Sequence, residues 1–158
     1  IRAMDTKKQM NVRAIENGTV IDHIPADCLF KIINILDLEK ETGQVTFGTN
    51  FESKRMGKKA IIKIADRYCA DEEVNRISIV APMACVNTIR NYQVVEKRTV
   101  KAPEEVEGFV KCGNPRCITN HERIRTRFEV QRQGNAITGL RCHFCEKVTT
   151  PENIVIVK

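Results

Sequence analysis

The chain has 158 residues, a formal net charge of +6, 42% apolar and 29% charged side chains, seven cysteines and no tryptophan. That length holds one ordinary domain or two small ones, and this balance of apolar and charged residues excludes a disordered chain. Apolar runs such as Ala60-Ile61-Ile62 fall far short of the ~20 residues that cross a bilayer. There is also no basic-then-apolar leader, so the expectation is a cytoplasmic protein with no membrane partner.

In chain order, Asn11 to Ile15 alternates polar and apolar residues, Asn17-Gly18 marks a turn, and Thr19 to Ile24 is β-prone. Pro25 opens a helix in which Leu29, Ile32, Ile33 and Leu36 recur at helical spacing. Val45 to Phe51 alternates again, a turn-like Ser53 to Lys59 follows, and Ala60 to Ala65 is a further strand. Asp71 suits a helix N-cap, with Glu72 and Glu73 in the first turn, where carboxylates complement the helix dipole. Val74, Ile77 and Val80 form the apolar side of that helix, and Pro82 closes it. Two β-rich stretches, Cys85 to Arg90 and Tyr92 to Val100, flank Asn91. This order predicts an α+β domain, a ferredoxin-like antiparallel sheet with both helices on one face. Val100 to Gly108 carries a proline, a glycine and an acidic cluster and reads as a linker. The expected boundaries are therefore 1–100, a linker at 101–108, and a small all-β domain at 109–158.

That last segment holds the strongest motif. Cys112 and Cys117 form a C-x4-C pair, and Cys142 and Cys145 form a C-x2-C pair 24 residues later. Zinc takes four soft ligands in a tetrahedron, and two short cysteine turns facing each other supply them. The intervening residues suit one hairpin, Arg123 to Arg132 and Ile137 to Cys142, around Gln133-Gly134-Asn135. A domain of about 50 residues buries little apolar surface, so a structural Zn2+, one per chain, is expected to hold it together. Four unrelated free thiols, His121 or His143 as a ligand, and rubredoxin-type iron are the alternatives. A four-thiolate site leaves no position for an activated water, which argues against zinc hydrolysis. Cys28, Cys69 and Cys85 fall outside the pattern and read as small apolar residues. An odd cysteine count argues for reduced thiols over a disulfide framework.

Glycine-rich phosphate loops are absent: Gly48 to Lys58 has eight residues between its glycines where a Walker A loop has four. Asp22-His23 stands at a strand end, where neighbours face opposite sides and form no automatic acid–base pair. Lys63 and Lys97 read as the solvated faces of half-buried strands. Tyr92 suits either a core position or stacking on a base.

Several segments change weight together. GTVIDHIPA at 18–26, MGKK at 56–59 with IKI at 62–64, AP-x3-VN-x-I-x-NY-x-VV-x-K at 81–97 and the four cysteines resemble, in that order, the regulatory chains of aspartate carbamoyltransferase. The resemblance implies a non-catalytic subunit whose N-terminal domain binds CTP and ATP as allosteric effectors of pyrimidine synthesis and pairs into a homodimer. Its metal domain would dock on the catalytic chains of the enzyme. The resemblance further implies that His23 and Lys97 meet the triphosphate and that Asp22 and Lys63 lie near the ribose and base. Val12, Ala14, Ile15, Val20, Asn87, Ile89, Tyr92 and Val94 would line the base side, several through backbone groups. Cys112, Cys117, Cys142 and Cys145 match the metal ligands. A second reading is a zinc-ribbon nucleic-acid binder, on the strength of the basic charge and Arg123, Arg125, Arg127, Arg132 and Arg141. Stacking aromatics are few there (Phe128 and Phe144), and the surplus is spread evenly, +3 in residues 1–100 and +3 in 101–158, which weakens it.

Overall fold

The computed structural model describes residues 14–157. Val12 and the rest of the alternation expected at 11–13 lie outside the described residues, and Ala14 and Ile15 are irregular. The first strand, β1 (Gly18–Pro25), begins on a residue that must lack a side chain. Gly18 has a φ of +136°, and a Cβ there would run into the Ile64 carbonyl oxygen. After β1 a turn of 3-10 helix at Ala26–Cys28 leads into helix α1 (Leu29–Ile35). Leu29, Ile32, Ile35 and Leu36 are its buried stripe, whereas Ile33 is only half-buried. The helix is short, so its inward face is set by the i, i+3 and i+6 positions.

Then follow β2 (Val45–Ser53), β3 (Gly57–Ala65), α2 (Asp71–Val80), β4 (Cys85–Arg90) and β5 (Gln93–Thr99). They form one antiparallel sheet in the order β2-β3-β1-β4-β5, the ferredoxin-like arrangement extended by β5. Both helices lie on one face, where Ile21, Ile24, Ile62, Ile64 and Val86 meet α1 and the Val74–Ile77 side of α2. The N-cap of α2 is Ala70, one residue earlier than expected. Alanine offers no capping oxygen, and the Glu73 carboxylate instead accepts from the Ala70 N–H at 3.1 Å. Asp71 thus becomes the first helical residue and pairs with Arg98 of β5 at 2.8 Å.

The remaining strands are β6 (Glu105–Glu107), β7 (Val110–Lys111), β8 (Arg127–Gln133), β9 (Ala136–Cys142), β10 (Val148–Thr149) and β11 (Val155–Ile156). A four-stranded sheet runs β10-β9-β8-β6, and β11 pairs with β7. β6 lies within the 101–108 segment and pairs with β8. The β8–β9 hairpin turns at Gly134, φ +62°, as its sequence suggests. Its first strand starts at Arg127 and not at Arg123. The Thr126 hydroxyl donates to the Val110 carbonyl at 2.7 Å and its carbonyl accepts from Gly108, so the preceding residues are committed to the 108–110 segment. Phe128, Val130, Leu140, Val106 and Val110 form a second core with three of the cysteines, and Ile79 of α2 completes it. Helix α2 therefore serves both cores. Among the described residues, no helix is long and apolar enough to cross a membrane.

Candidate metal centre and open sheet face

Cys112 follows β7, Cys117 closes the loop after it, Cys142 ends β9, and Cys145 sits in the turn to β10. The topology brings the four together: their Sγ atoms all lie within 4.8 Å of one another. The Cys112–Cys145 and Cys117–Cys142 separations are both 3.7 Å. A tetrahedron of ~2.3 Å zinc–sulfur bonds has edges of about 3.8 Å, whereas a disulfide would need about 2 Å. The spacing is that of ligands around one ion. Burial, with the Cys145 thiol beside it, pushes the Cys112 thiol up to about 12. Burial also opposes ionisation of Cys145, but hydrogen bonds from Asn114 and Lys147 outweigh it and bring that thiol to about 7. Four thiolates at these distances need a cation to coexist. Neither histidine joins them: His121 Nε2 lies 2.8 Å from the Pro115 carbonyl oxygen, and His143 packs edge-on against Phe144.

The second feature is the sheet face away from the helices. Strand register sets Thr46, Lys63, Val20, Asn87 and Lys97 directly opposite one another across β2, β3, β1, β4 and β5. Residues opposite in a ladder share a face, so these five form a row across the open side. Asp22 is two positions from Val20 on the same face, opposite Cys85, and Ile89 lies opposite Gly18. Val94, 58% exposed, pairs with Ile89 near the β4–β5 turn.

At His23 the simple alternation of the strand fails. A bulge interrupts β1 between Ile21 and Ile24, and His23 has a φ of +56°. Its N–H donates back to Asp22 Oδ1 at 2.6 Å, and its Nδ1 comes within 3.8 Å of Asp22 Oδ2. The two side chains are thus brought together, against the expectation of opposite faces. Among the described residues, the buried His23 Nδ1 has no hydrogen-bond partner. Lys59, which sequence reasoning left in a turn, reaches Asp22 Oδ1 at 2.9 Å. Burial disfavours ionised Asp22, but Lys59 and the His23 N–H together hold its carboxyl below the usual range. Burial lowers the Lys63 ammonium, and the Asp22 charge opposes that shift. The result is a half-buried basic cluster around a single carboxylate.

At the other end of β1 a cavity of about 340 Å3 is lined by Ala14, Ile15 and Tyr92 together with Gln44, Thr46 and Asp66. Asn91 and Tyr92 both have positive φ, 51° and 64°, as a tight hairpin turn requires. The Tyr92 N–H donates to the Glu16 carbonyl at 2.9 Å, tying this turn to the start of β1. Gln44 and Thr46 are not marked by any sequence pattern; the signal is the Thr46–Lys63 register and the Ala65 N–H donating to the Gln44 carbonyl at 2.9 Å, which appear only once strands pair. The three remaining cysteines stand apart from the four-cysteine cluster. Burial pushes the thiols of Cys28 and Cys69 up to about 11, and Cys85 is buried on the open face.

Comparison with known proteins decides the family. Residues 10–101 match the family described as aspartate carbamoyltransferase regulatory chain, allosteric domain, and residues 104–155 match its metal binding domain. The chain belongs to the aspartate carbamoyltransferase regulatory chains. It is 49% identical to the regulatory chain of Phocaeicola vulgatus over 157 residues, covering 99% of this chain and 100% of the relative. The regulatory chain of Bacteroides fragilis is 49% identical over 153 residues, covering 97% and 99%. That of Pyrococcus horikoshii is 48% identical over 149 residues, covering 93% and 97%. The chain is accordingly a regulatory, non-catalytic subunit with a metal-binding domain. The four-cysteine cluster lies within the stretch that matches the metal binding domain.

Proposed function

We propose that this regulatory chain binds CTP and ATP on the open face of its five-stranded sheet and transmits their occupancy to aspartate carbamoyltransferase catalytic chains in the cytoplasm. We place the nucleotide domain at 1–100 and the docking domain, organised by one Zn2+, at 109–158; of the 101–108 segment between them, Glu105–Glu107 joins the sheet of the docking domain as β6. The observation that carries this reading is the cross-sheet row of Lys63, Val20, Asn87 and Lys97 beside the Asp22–His23–Lys59 cluster. A triphosphate takes charge-assisted hydrogen bonds from His23, Lys97 and Lys59, while Asp22 and Lys63 flank the ribose and base. The cavity at Ala14, Ile15 and Tyr92 is the base end, where backbone N–H and C=O groups distinguish donor and acceptor edges. Ile89 and Val94, paired beside the same β4–β5 turn, would extend its apolar side, and Val12 is assigned to the base side on the sequence resemblance alone. Two nucleotides sharing one site regulate oppositely only through different affinities for two states of the assembly.

Zinc is the ion we assign, because a closed tetrathiolate set at these separations suits it and offers no open coordination position. The residues that would hold it are Cys112, Cys117, Cys142 and Cys145. A homodimer is favoured by Phe30 and Phe47, which pack edge-to-face at 6.5 Å yet are 71% and 50% exposed beside the β2 edge. A nucleic-acid role is disfavoured. Of the five arginines, Arg125, Arg127 and Arg141 lie against Glu107, Glu105 and Glu146, and Arg132 donates to the Ala102 carbonyl, so four of them already face acceptors of the protein itself.

Calorimetric titration tests the reading. Lys97→Ala should weaken CTP and ATP alike, by about tenfold, the ~1.4 kcal/mol expected when one charge-assisted contact is lost. Unchanged affinities for both nucleotides would remove Lys97 from the phosphate site.

A further inference from the structure

The two cysteine loops are not held in the same way. The C-x2-C loop is closed by the strands that flank it: Glu146 N–H donates to the Cys142 carbonyl at 2.9 Å and Cys142 N–H to the Lys147 carbonyl at 3.0 Å. The C-x4-C loop is two residues longer, contains Pro115 with no N–H, and leaves through a turn where the other enters a strand. Something else must fix it.

The short turn Ile118–Asn120, directly after Cys117, supplies what is missing. Its own backbone is set by Asn120 N–H donating to the Cys117 carbonyl at 2.9 Å. From there the Asn120 side-chain amide reaches back across the loop. Its Nδ2 donates to the Cys112 carbonyl at 3.0 Å and to the Asn114 carbonyl at 2.7 Å. The same Asn114 carbonyl accepts from Cys117 N–H at 3.0 Å, so Cys117 and Asn120 share one acceptor inside the loop while Asn120 also holds its Cys112 end. One residue earlier, the Thr119 hydroxyl lies 3.2 Å from the Cys117 sulfur.

We propose that Thr119 and Asn120 are positioning residues of the metal centre, a clasp that locks the longer cysteine loop in ligand geometry and donates a hydrogen bond to one of its sulfurs. The proposal rests on the metal reading above. Cys117 as a metal ligand is a thiolate and can only accept, so the Thr119 hydroxyl must be the donor. A divalent ion held by four thiolates retains two negative charges, here among three buried cysteines, and each donor to sulfur draws off part of that density. Asn120 acts differently: it touches no sulfur and lowers the freedom of the loop that the ion would otherwise have to order. Thr149, whose hydroxyl accepts from Gly113 N–H at 3.2 Å, pins the same loop from β10.

The test uses the full chain loaded with Co2+, whose thiolate-to-metal absorption reports the sulfurs and whose loss to excess chelator reports the hold on the ion. Asn120→Ala should speed release by about 10- to 100-fold, the usual range for outer-shell partners. Thr119→Val should move the thiolate-to-cobalt band to lower energy, and Thr119→Ser should restore it. Wild-type release from Asn120→Ala would overturn the clasp, and an unshifted band in Thr119→Val would overturn the hydrogen bond to sulfur. Thr119→Val replaces a hydroxyl with a methyl of similar size, so its spectrum decides even where Asn120→Ala fails to fold. A wild-type chain that takes up no cobalt would instead contradict the metal reading itself.

Discussion

The two domains solve the same problem with different means. The five-stranded sheet buries Ile21, Ile24, Ile62, Ile64 and Val86 under two helices of its own, and Ile156 of β11 packs against that core from the second half. The second domain gathers Phe128, Leu140 and Val130 around three cysteines, and it borrows Ile79 from helix α2 of the first. Without a cation, those cysteines are crowded, partly ionisable thiols. The comparison teaches that one half of the chain is a platform built around an aliphatic core of its own, while the other is built around four cysteines that could hold an ion and borrows a side chain from its neighbour.

The strongest way to break that contrast is to remove the metal. Structural zinc contributes on the order of 10–16 kcal/mol in small domains, so chelation should abolish hydrogen-exchange protection across β8 and β9. Protection in β1, β3 and β4 should persist. Equal loss in both sheets would erase the distinction. Next comes a cavity in the platform: Ile77→Ala should cost about 2–5 kcal/mol in denaturant titration whether or not metal is bound. A penalty that appears only in metal-free protein would mean that the platform, too, leans on the ion.

The Asp22 cluster gives a smaller, pH-dependent effect. Its carboxyl titrates below the ordinary value near ~3.9, so its contribution is present above that value and disappears as pH falls through the depressed folded-state value. Wild type should exceed Asp22→Asn in stability by about 1 kcal/mol at neutral pH, a gap that closes in acid. A gap that widens in acid would reverse the assignment. Smallest is Tyr92→Phe. The ring is 64% exposed and the backbone N–H is what binds Glu16, so CTP and ATP affinities should hardly change in calorimetry.

Much of this was legible beforehand, for physical reasons. The order of strands and helices follows from apolar periodicity, and four cysteines in paired turns announce their cluster. What escaped was conformation that periodicity does not encode. His23 sits in a run that reads as plain strand, yet a bulge and a left-handed backbone turn it to the side of Asp22. Lys59 looked like part of a turn, because its partner lies 37 residues away in sequence on another strand. Ile79 falls two residues after Ile77, off the stripe that faces the first core, and its purpose appears only with the second core beside it. Gln44 and Thr46 belong to a cavity wall assembled from β2, β3 and the β4–β5 turn, which no local pattern reveals.

The central claim is that effector binding and docking reside in separable halves of one chain. Titrating CTP into the metal-free and metal-loaded full chain, with and without catalytic chains of aspartate carbamoyltransferase, tests it most directly. CTP affinity should survive metal removal while assembly with the catalytic chains is lost. Loss of CTP binding together with the metal, or assembly that persists without it, would contradict the account.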